Sequence, residues 1–394
     1  MIKKRISVEA FSDGFGKIAI LLILLGFYLS FLVEGYTGNT SFRNIMMLCS
    51  FVFFFIKIAL YPRLKIRSDF FAYILCGLIV AGISCWFWYS LAEINVYFTL
   101  VTLSLVIISG FEFFKKGLKW LILIILIIAL YEYITKTYLF IVYRNTEWGL
   151  LPMDPKFFGG YAKIIRAKGL FEGPLALAQF AIGCALIFRK DLKILILTFL
   201  LAILANGRLG IIICASVLIF HFIEKYSLLK FLFSAKGLKF LLLGFVSLIL
   251  AFNYFVTEKS IKRFKDIFDT TGDSGNSARL DYWAQAVDVY WNYDIIHKIF
   301  GDSGLYRHIT GNSAENGWLM LLLNNGLLGF LYYFIPIVLI FVMSITKKTG
   351  HYLFVLLIIF AMFIQTFHLG ASANLLYWVI IYTFYLELNQ TNNA

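Results

Sequence analysis

Long apolar runs separated by short polar connections dominate this chain. A bilayer core of about 30 Å needs about 20 apolar residues per helix, so the pattern predicts twelve transmembrane helices. The predicted spans are 17–33, 44–61, 70–90, 96–114, 118–142, 170–188, 192–206, 208–224, 237–256, 318–345, 352–369 and 373–388. Because span 318–345 contains Gly326, Gly329 and Pro336, we expect a break near its start. The predicted fold class is an all-α polytopic membrane protein.

Composition agrees with this class. Of the 394 residues, 61% are hydrophobic and 14% charged, against about 45–50% and about 25% in soluble proteins. Residues 1–394 are therefore expected to form a single transmembrane domain. All five cysteines lie in apolar runs without CxxC spacing, which indicates neither a disulfide framework nor a zinc site.

The net charge of +13 could indicate nucleic-acid binding, but the basic residues lie in short clusters between apolar runs. This placement follows the positive-inside rule, so nucleic-acid binding is not expected and both termini are predicted to be cytoplasmic. The cytoplasmic clusters are Arg63/Lys65/Arg67, Lys115/Lys116/Lys119, Arg189/Lys190/Lys193, Lys225/Lys230/Lys236/Lys239 and Lys347/Lys348.

Two long outer segments, 143–169 and 257–315, are also basic. Long loops cross regardless of charge, yet cations outside indicate an anionic ligand such as a lipid phosphate. The candidate substrate-binding residues are Arg166, Lys168, Arg263, Arg307 and Asn316. Stretches 258–268 and 279–292 have amphipathic patterns and are expected to lie in the membrane interface, where they could also serve as simple anchors.

Known cofactor motifs are missing. The sequence has no GxxxxGK[ST], no HExxH and only five scattered histidines, so neither a cofactor nor a metal is expected. Glu132 and Lys136, four residues apart on a predicted helix, are read as a local pair. Polar chemistry is therefore expected at the helix ends on the outer side. There each arginine could instead be a headgroup anchor, and Glu315 a helix N-terminal residue.

One series of short motifs is more specific than any single residue. In order, these are Arg166 with Gly169, Phe171 and Pro174; Asn206-Gly207-Arg208; Arg279 with Trp283; Gly301 and Gly304; Ser313-Ala-Glu-Asn-Gly-Trp-Leu319; and Gly326 with Gly329. This order, with its large outer loop, resembles the O-antigen polymerase and O-antigen ligase family of bacterial envelope enzymes. The resemblance covers about residues 160–345.

The resemblance implies a helical glycosyltransferase of the C-type class (GT-C-like). Its donor would be an undecaprenyl-diphosphate-linked glycan at the periplasmic face of the inner membrane. Arg208 and Arg279 would then bind the diphosphate, with Arg166 as a further candidate. Ligases of the family carry a histidine where this chain has Glu315, and this departure favours the polymerase.

Elementary chemistry supports these catalytic candidates, Glu315, Arg279 and Arg208. A diphosphate leaving group gains charge as the glycosidic bond breaks, and guanidinium groups stabilise that charge without a metal. The acceptor hydroxyl needs a base, for which Glu315 is suited. Displacement in one step would invert the anomeric centre.

Three functions stay open at this point. The favoured one is polymerisation of lipid-linked repeat units, acting as both donor and acceptor, into O-antigen or capsular polysaccharide. Membrane lipids, a chain-length regulator and a flippase would be its partners. The second is an O-antigen ligase transferring glycan to lipid A-core. The third is a lipid-linked oligosaccharide flippase or transporter, which predicts a charged central cavity and inverted repeats.

Overall fold

The computed structural model describes residues 8–61, 68–91, 94–146, 149–159, 165–225, 275–367 and 370–390. The first part contains the helices α1 (Val8–Tyr28), α2 (Ser30–Thr37), α3 (Phe42–Leu60), α4 (Ser68–Ser84) and α5 (Ile94–Thr135). A hairpin of β1 (Tyr143–Thr146) and β2 (Gly149–Pro152) follows, and then α6 (Pro155–Gly159), α7 (Pro174–Ile187), α8 (Leu192–Leu204) and α9 (Arg208–Lys225). The last part contains α10 (Gly275–Asn292), α11 (Ile295–Phe300), α12 (Leu305–Thr310), α13 (Gly317–Thr346), α14 (His351–Ile364) and α15 (Ala371–Gln390).

Four of the described helices are long and apolar enough to cross a membrane. They are Val8–Tyr28, Phe42–Leu60, Tyr97–Thr135 and Gly317–Thr346. Shorter apolar helices, including α7, α8, α9 and α14, pack with them around one large hydrophobic core. The protein is thus an α-helical membrane protein, as its apolar pattern predicts.

The apolar helices connect two ends of one bundle, which we name after the glutamates found there. At the Glu387 end, the Glu387 carboxylate accepts hydrogen bonds from Arg189 (2.7 Å), which follows α7, and from His351 (3.1 Å), the first residue of α14. His221, near the end of α9, contacts the carbonyl oxygen of Arg189 at 2.8 Å. This end therefore gathers the ends of α7, α9 and α15 and the start of α14.

The opposite, Glu315 end lies at the start of α13. Within α13, Asn325 accepts a hydrogen bond from Tyr97 near the start of α5, at 2.9 Å. The Asn374 amide, near the start of α15, donates to Thr99 of α5 at 2.7 Å. Helices α5, α13 and α15 therefore begin at the same end, and α13 and α15 run together towards Glu387.

Helix α5 is divided at Gly110, whose φ of 146° and ψ of 82° lie outside the helical region. The break leaves carbonyl groups without their helical partners. The Lys57 ammonium of α3 donates to two of these oxygens, those of Ile108 (3.0 Å) and Ser109 (3.1 Å), and lies 3.5 Å from Asp13. This buried lysine thus caps the broken helix.

The two halves of α5 run in opposite directions. Phe111, just after the break, packs against Tyr382 of α15, and Lys119 pairs with Asp191 at 2.6 Å beside the Glu387 end. The second half then returns to Glu132, whose carboxylate contacts the backbone of Lys168. The predicted spans 96–114 and 118–142 therefore correspond to two helices, and their predicted boundary near 115–117 is displaced to Gly110.

Other predicted boundaries also move. The first helix begins at Val8 rather than 17, and the predicted span 118–142 ends at Thr135 because Lys136 has a left-handed φ of 60°. The predicted span 70–90 ends at Ser84, 170–188 begins at Pro174, and 352–369 ends at Ile364. The predicted span 237–256 and the amphipathic stretch 258–268 lie outside the described residues.

The break predicted near the start of span 318–345 is confirmed at Gly326, where φ is 63° and ψ is −168°. Gly301, with φ of 78°, lies directly against it: a Cβ on Gly301 would come within 2.4 Å of the Gly326 nitrogen. The Asp302 N–H donates to the Leu323 carbonyl oxygen at 2.8 Å and so satisfies an acceptor near the break. Two glycines thus allow backbone to pack on backbone, which any side chain would prevent.

Candidate functional site

The Arg279 and Glu315 side chains form an ion pair at the Glu315 end, with Arg279 Nε 2.5 Å from Glu315 Oε2. Arg279 lies near the start of α10, whereas Glu315 immediately precedes the cap of α13 with a left-handed φ of 49°. The two side chains are 39% and 46% exposed. Two residues far apart in sequence are therefore held together where a ligand can reach both.

The cap of α13 is Asn316. Its side-chain oxygen accepts hydrogen bonds from the N–H groups of Trp318 (3.0 Å) and Leu319 (3.1 Å). This bond explains an asparagine directly after Glu315, since Asn is a favoured cap residue. The positive end of the α13 dipole consequently lies beside the ion pair and adds an attraction for anions.

An open apolar groove of about 770 Å³ begins next to this pair. Trp283, one turn after Arg279, forms one wall and packs edge-on against Phe363 of α14 at 5.1 Å between ring centroids. The groove is lined by Trp283, Ala284, Val287, Asp288, Trp291, Asn316, Trp318, Leu319, Phe330, Phe334, Ile359 and Phe363. Most of these side chains are aromatic or aliphatic, so the groove suits a hydrocarbon chain better than a sugar.

The helical pattern of 279–292 is confirmed by α10, but the apolar side of this helix is only partly buried. Ala286 is fully buried, whereas Leu280, Val287 and Trp291 are 50%, 42% and 67% exposed. The edge of this apolar side that contains Ala286 packs on the protein, and the edge that contains Val287 and Trp291 remains open along the groove.

Arg166 and Arg208 belong to a second group of residues at the same end of the bundle. Arg166 Nε donates to the Ala205 carbonyl oxygen at 3.3 Å, in the turn between α8 and α9. That turn contains Asn206 with a left-handed φ of 47°, and α9 begins at Arg208. The predicted spans 192–206 and 208–224 leave one residue between them, and the tight turn that this spacing requires is present, with Arg166 in direct contact.

Lys168 is fully buried within this second group. Its ammonium nitrogen lies 3.7 Å from the ring centroid of Phe140 and 5.2 Å from that of Tyr138, and among the described residues it has no hydrogen-bond acceptor. Burial lowers the pKa of Lys168 to about 8, and nearby Glu132 opposes this effect. A ligand would have to open the segment to reach this amine, so its contribution is structural.

The remaining basic candidates differ in their surroundings. Arg307 is exposed on α12, and Arg263 lies outside the described residues. Arg144 of the outer segment forms ion pairs with Glu34 and Glu172, and these contacts raise its pKa. Arg144 therefore needs no external anion to balance its charge, unlike the expectation for the basic residues of this segment.

Glu132 is the site residue that the sequence did not single out. Its fully buried carboxylate accepts hydrogen bonds from the N–H groups of Lys168 (2.9 Å) and Gly169 (2.8 Å). The spacing to Lys136 suggested a local pair, but the Lys136 ammonium lies 4.1 Å from the Tyr133 ring centroid. The sequence did contain one signal for Glu132, since an acidic residue within an apolar span often marks a functional position.

Comparison with known proteins gives no family assignment: neither a protein-family model nor a curated protein matches the chain. Within the described residues, no group of three or more His, Cys, Asp and Glu side chains could hold a metal ion. The candidate site therefore consists of the Arg279–Glu315 pair, the groove beside it and the basic group around Arg166 and Arg208.

Proposed function

We propose that this protein is a membrane glycosyltransferase that polymerises undecaprenyl-diphosphate-linked oligosaccharide repeat units into O-antigen or capsular polysaccharide. The observation that carries the proposal is the position of an accessible arginine–glutamate pair beside an apolar groove. A lipid diphosphate has the same two parts, an anionic head and a hydrocarbon chain. The ordered motifs of the family that the sequence resembles point to the same site.

The chemistry assigns a role to each side chain. A hydroxyl oxygen of the acceptor repeat unit attacks the anomeric carbon of the donor, and the bond from that carbon to the diphosphate oxygen breaks. The bonding electrons leave with undecaprenyl diphosphate, whose charge Arg279 and Arg208 stabilise. Glu315 accepts the hydroxyl proton. Attack opposite the leaving group inverts the anomeric centre.

Binding of the diphosphate requires an exchange of partners. Arg279 Nε donates to Glu315 in the structure, so a phosphate that binds this edge of the guanidinium displaces the carboxylate. The pair is about two-fifths exposed, and such surface pairs contribute only about 0–1 kcal/mol. Separating the pair therefore requires little free energy, and it leaves Glu315 able to accept a proton next to the leaving group.

The directions of the helices support the proposed topology of twelve spans with both termini in the cytoplasm. The last described helix, α15, ends beside Glu387 and Lys190. Asp13, near the start of α1, lies by Lys57 at the break in α5, and Phe111 just after that break packs against Tyr382 of α15. Helix α9 reaches the Glu387 end, and α10 starts beside Glu315 at the other. The Glu315 end thus lies opposite these basic residues, as an active site on the periplasmic side requires.

Glycan length in cells tests this proposal. Arg279→Ala, Arg208→Ala and Glu315→Gln should accumulate in the membrane but yield only single-repeat glycan, with polymer reduced at least about 100-fold, the usual effect of removing one charge-stabilising donor. Glu112→Gln, on exposed Glu112 of α5 paired with Lys115, is a matched control that should keep wild-type ladders. Long ladders from the three site variants would contradict the assignment, and loss of every glycan from the outer lipid would indicate the ligase instead.

A further inference from the structure

We propose that buried Glu132 is a positioning residue that holds Arg166 and Arg208 in place for the reaction, an inference that depends on the proposed function. Glu132 does not face the groove and touches no part of it. It lies near the end of α5, where its carboxylate binds the backbone of the segment that precedes α7.

Three backbone N–H groups converge on this carboxylate. Oε2 accepts from Lys168 and Gly169 at 2.9 and 2.8 Å, and Oε1 accepts from Leu139 at 3.4 Å. Gly169 has a left-handed φ of 57°, so the backbone turns its N–H towards the carboxylate at a position that favours glycine. A carboxylate suits three donors because both of its oxygens accept, whereas an amide has one acceptor and one donor.

A short chain of hydrogen bonds leads from Glu132 to the two arginines. The Ala167 N–H, next to Lys168, donates to the Leu204 carbonyl oxygen at 2.9 Å, and Arg166 Nε contacts the Ala205 oxygen. Tyr138 donates to the Arg166 carbonyl oxygen at 2.7 Å. The segment held by Glu132 thus holds the turn from which Arg208 starts α9.

The turn before Arg208 is held by α7 on one side and by the Glu132-bound segment on the other. A Cβ on Gly207 would lie 2.7 Å from the Ala178 Cβ, so the turn sits tightly against α7 on one side. On its other side, the turn accepts hydrogen bonds from residues 166 and 167. Loss of the Glu132 anchor should therefore shift Arg166 and the turn together, without removing either guanidinium.

Glu132→Gln is the direct test, because glutamine keeps the shape and presents a donor to converging N–H groups. In a polymerisation assay with purified protein, we expect Glu132→Gln to reduce kcat about tenfold. Glu112→Gln, on the same helix but in an exposed i,i+3 pair, should leave the rate unchanged. A Glu132→Gln rate equal to wild type would overturn the inference.

A double-mutant cycle separates positioning from general damage. If Glu132 acts through Arg166 and Arg208, Glu132→Gln should lower activity by a smaller factor in an Arg208→Ala background than in the wild-type protein. If the fold reductions in activity from Glu132→Gln and Arg208→Ala simply multiply, Glu132 acts independently of the arginines, and this outcome also contradicts the inference. Should Glu132→Gln fail to accumulate, Glu132→Gln with Lys168→Met removes the unbalanced buried ammonium and allows the same comparison.

A binding measurement distinguishes this inference from the proposed function itself. Farnesyl diphosphate, a short prenyl diphosphate, should bind wild-type protein in detergent and bind Glu132→Gln about tenfold more weakly. Equal binding by both proteins would overturn the positioning role while leaving the glycosyltransferase proposal standing. If wild-type protein neither bound the probe nor polymerised lipid-linked repeat units, the proposed function would fail and this inference with it.

Discussion

Both ends of the bundle contain an arginine–glutamate pair, yet the two pairs are built differently. At the Glu387 end, Arg189 is only 1% exposed, and Glu387 also contacts Lys190 and His351. The Arg189 guanidinium lies 4.2 Å from the Phe384 ring centroid and 5.3 Å from that of Phe354, so aromatic packing also holds it in place. At the Glu315 end, Arg279 and Glu315 are each about two-fifths exposed and border an open groove.

The difference indicates which pair is structural and which is available for chemistry. A buried pair with several partners cannot release one of them without leaving a charge in an apolar environment. In an exposed pair, a phosphate can replace the carboxylate with only a small loss of free energy. The same two residue types therefore lock one end of the bundle and form a reactive surface at the other.

The largest expected effect is on stability at the Glu387 end. Glu387→Gln would leave the buried Arg189 charge without a carboxylate and should destabilise the protein by about 3–5 kcal/mol. Glu315→Gln is the matched variant at the other end and should change stability by less than about 1 kcal/mol. Thermal unfolding in detergent measures both, and equal losses would remove the distinction between the two pairs.

A second prediction concerns the backbone contact that supports the Glu315 end. Gly326→Ala would place a Cβ 2.3 Å from the Ile299 carbonyl oxygen, at a left-handed φ. Strain and overpacking together should cost about 3 kcal/mol. Gly82→Ala in α4 is the control, since a Cβ there meets nothing within 4 Å, and it should stabilise the helix slightly. If the two variants had the same unfolding midpoint, the Gly301–Gly326 contact would be dispensable for stability.

The smallest effect is the pH dependence contributed by Lys168. Its pKa is lowered to about 8 from an ordinary value of 10.5. In the window from about pH 8 to about 10.5, the unfolded chain binds more protons at this side chain than the folded protein, so the free energy of unfolding rises with pH. The rise should be about 1 kcal/mol per pH unit. Lys168→Met should remove it, and an unchanged slope in that variant would assign the dependence to another group.

Much of the architecture follows from local sequence, because apolar runs and glycines act where they occur. The break at Gly326 and the turn before Arg208 were predicted in this way. The break in α5 was displaced because Lys115 and Lys116 suggested a polar connection, whereas the actual break at Gly110 is capped by Lys57, some 50 residues earlier in the chain.

Partners that are distant in sequence explain what could not be predicted. The Glu132 carboxylate binds backbone 36 residues away, and Arg144 pairs with Glu34, 110 residues away. Neither contact leaves a periodic signal. The meeting of Arg279 with Glu315 was expected only from the resemblance of the ordered motifs, and the apolar groove arises from three helices whose packing the sequence does not reveal.

The most direct test of the central claim uses purified wild-type protein, incubated with undecaprenyl-diphosphate-linked repeat unit and no added metal. The account predicts a ladder of longer lipid-linked glycans with one undecaprenyl diphosphate released per new bond, and none from Arg279→Ala or Glu315→Gln. Unchanged repeat units with the wild-type protein, or equal ladders from the two variants, would contradict it.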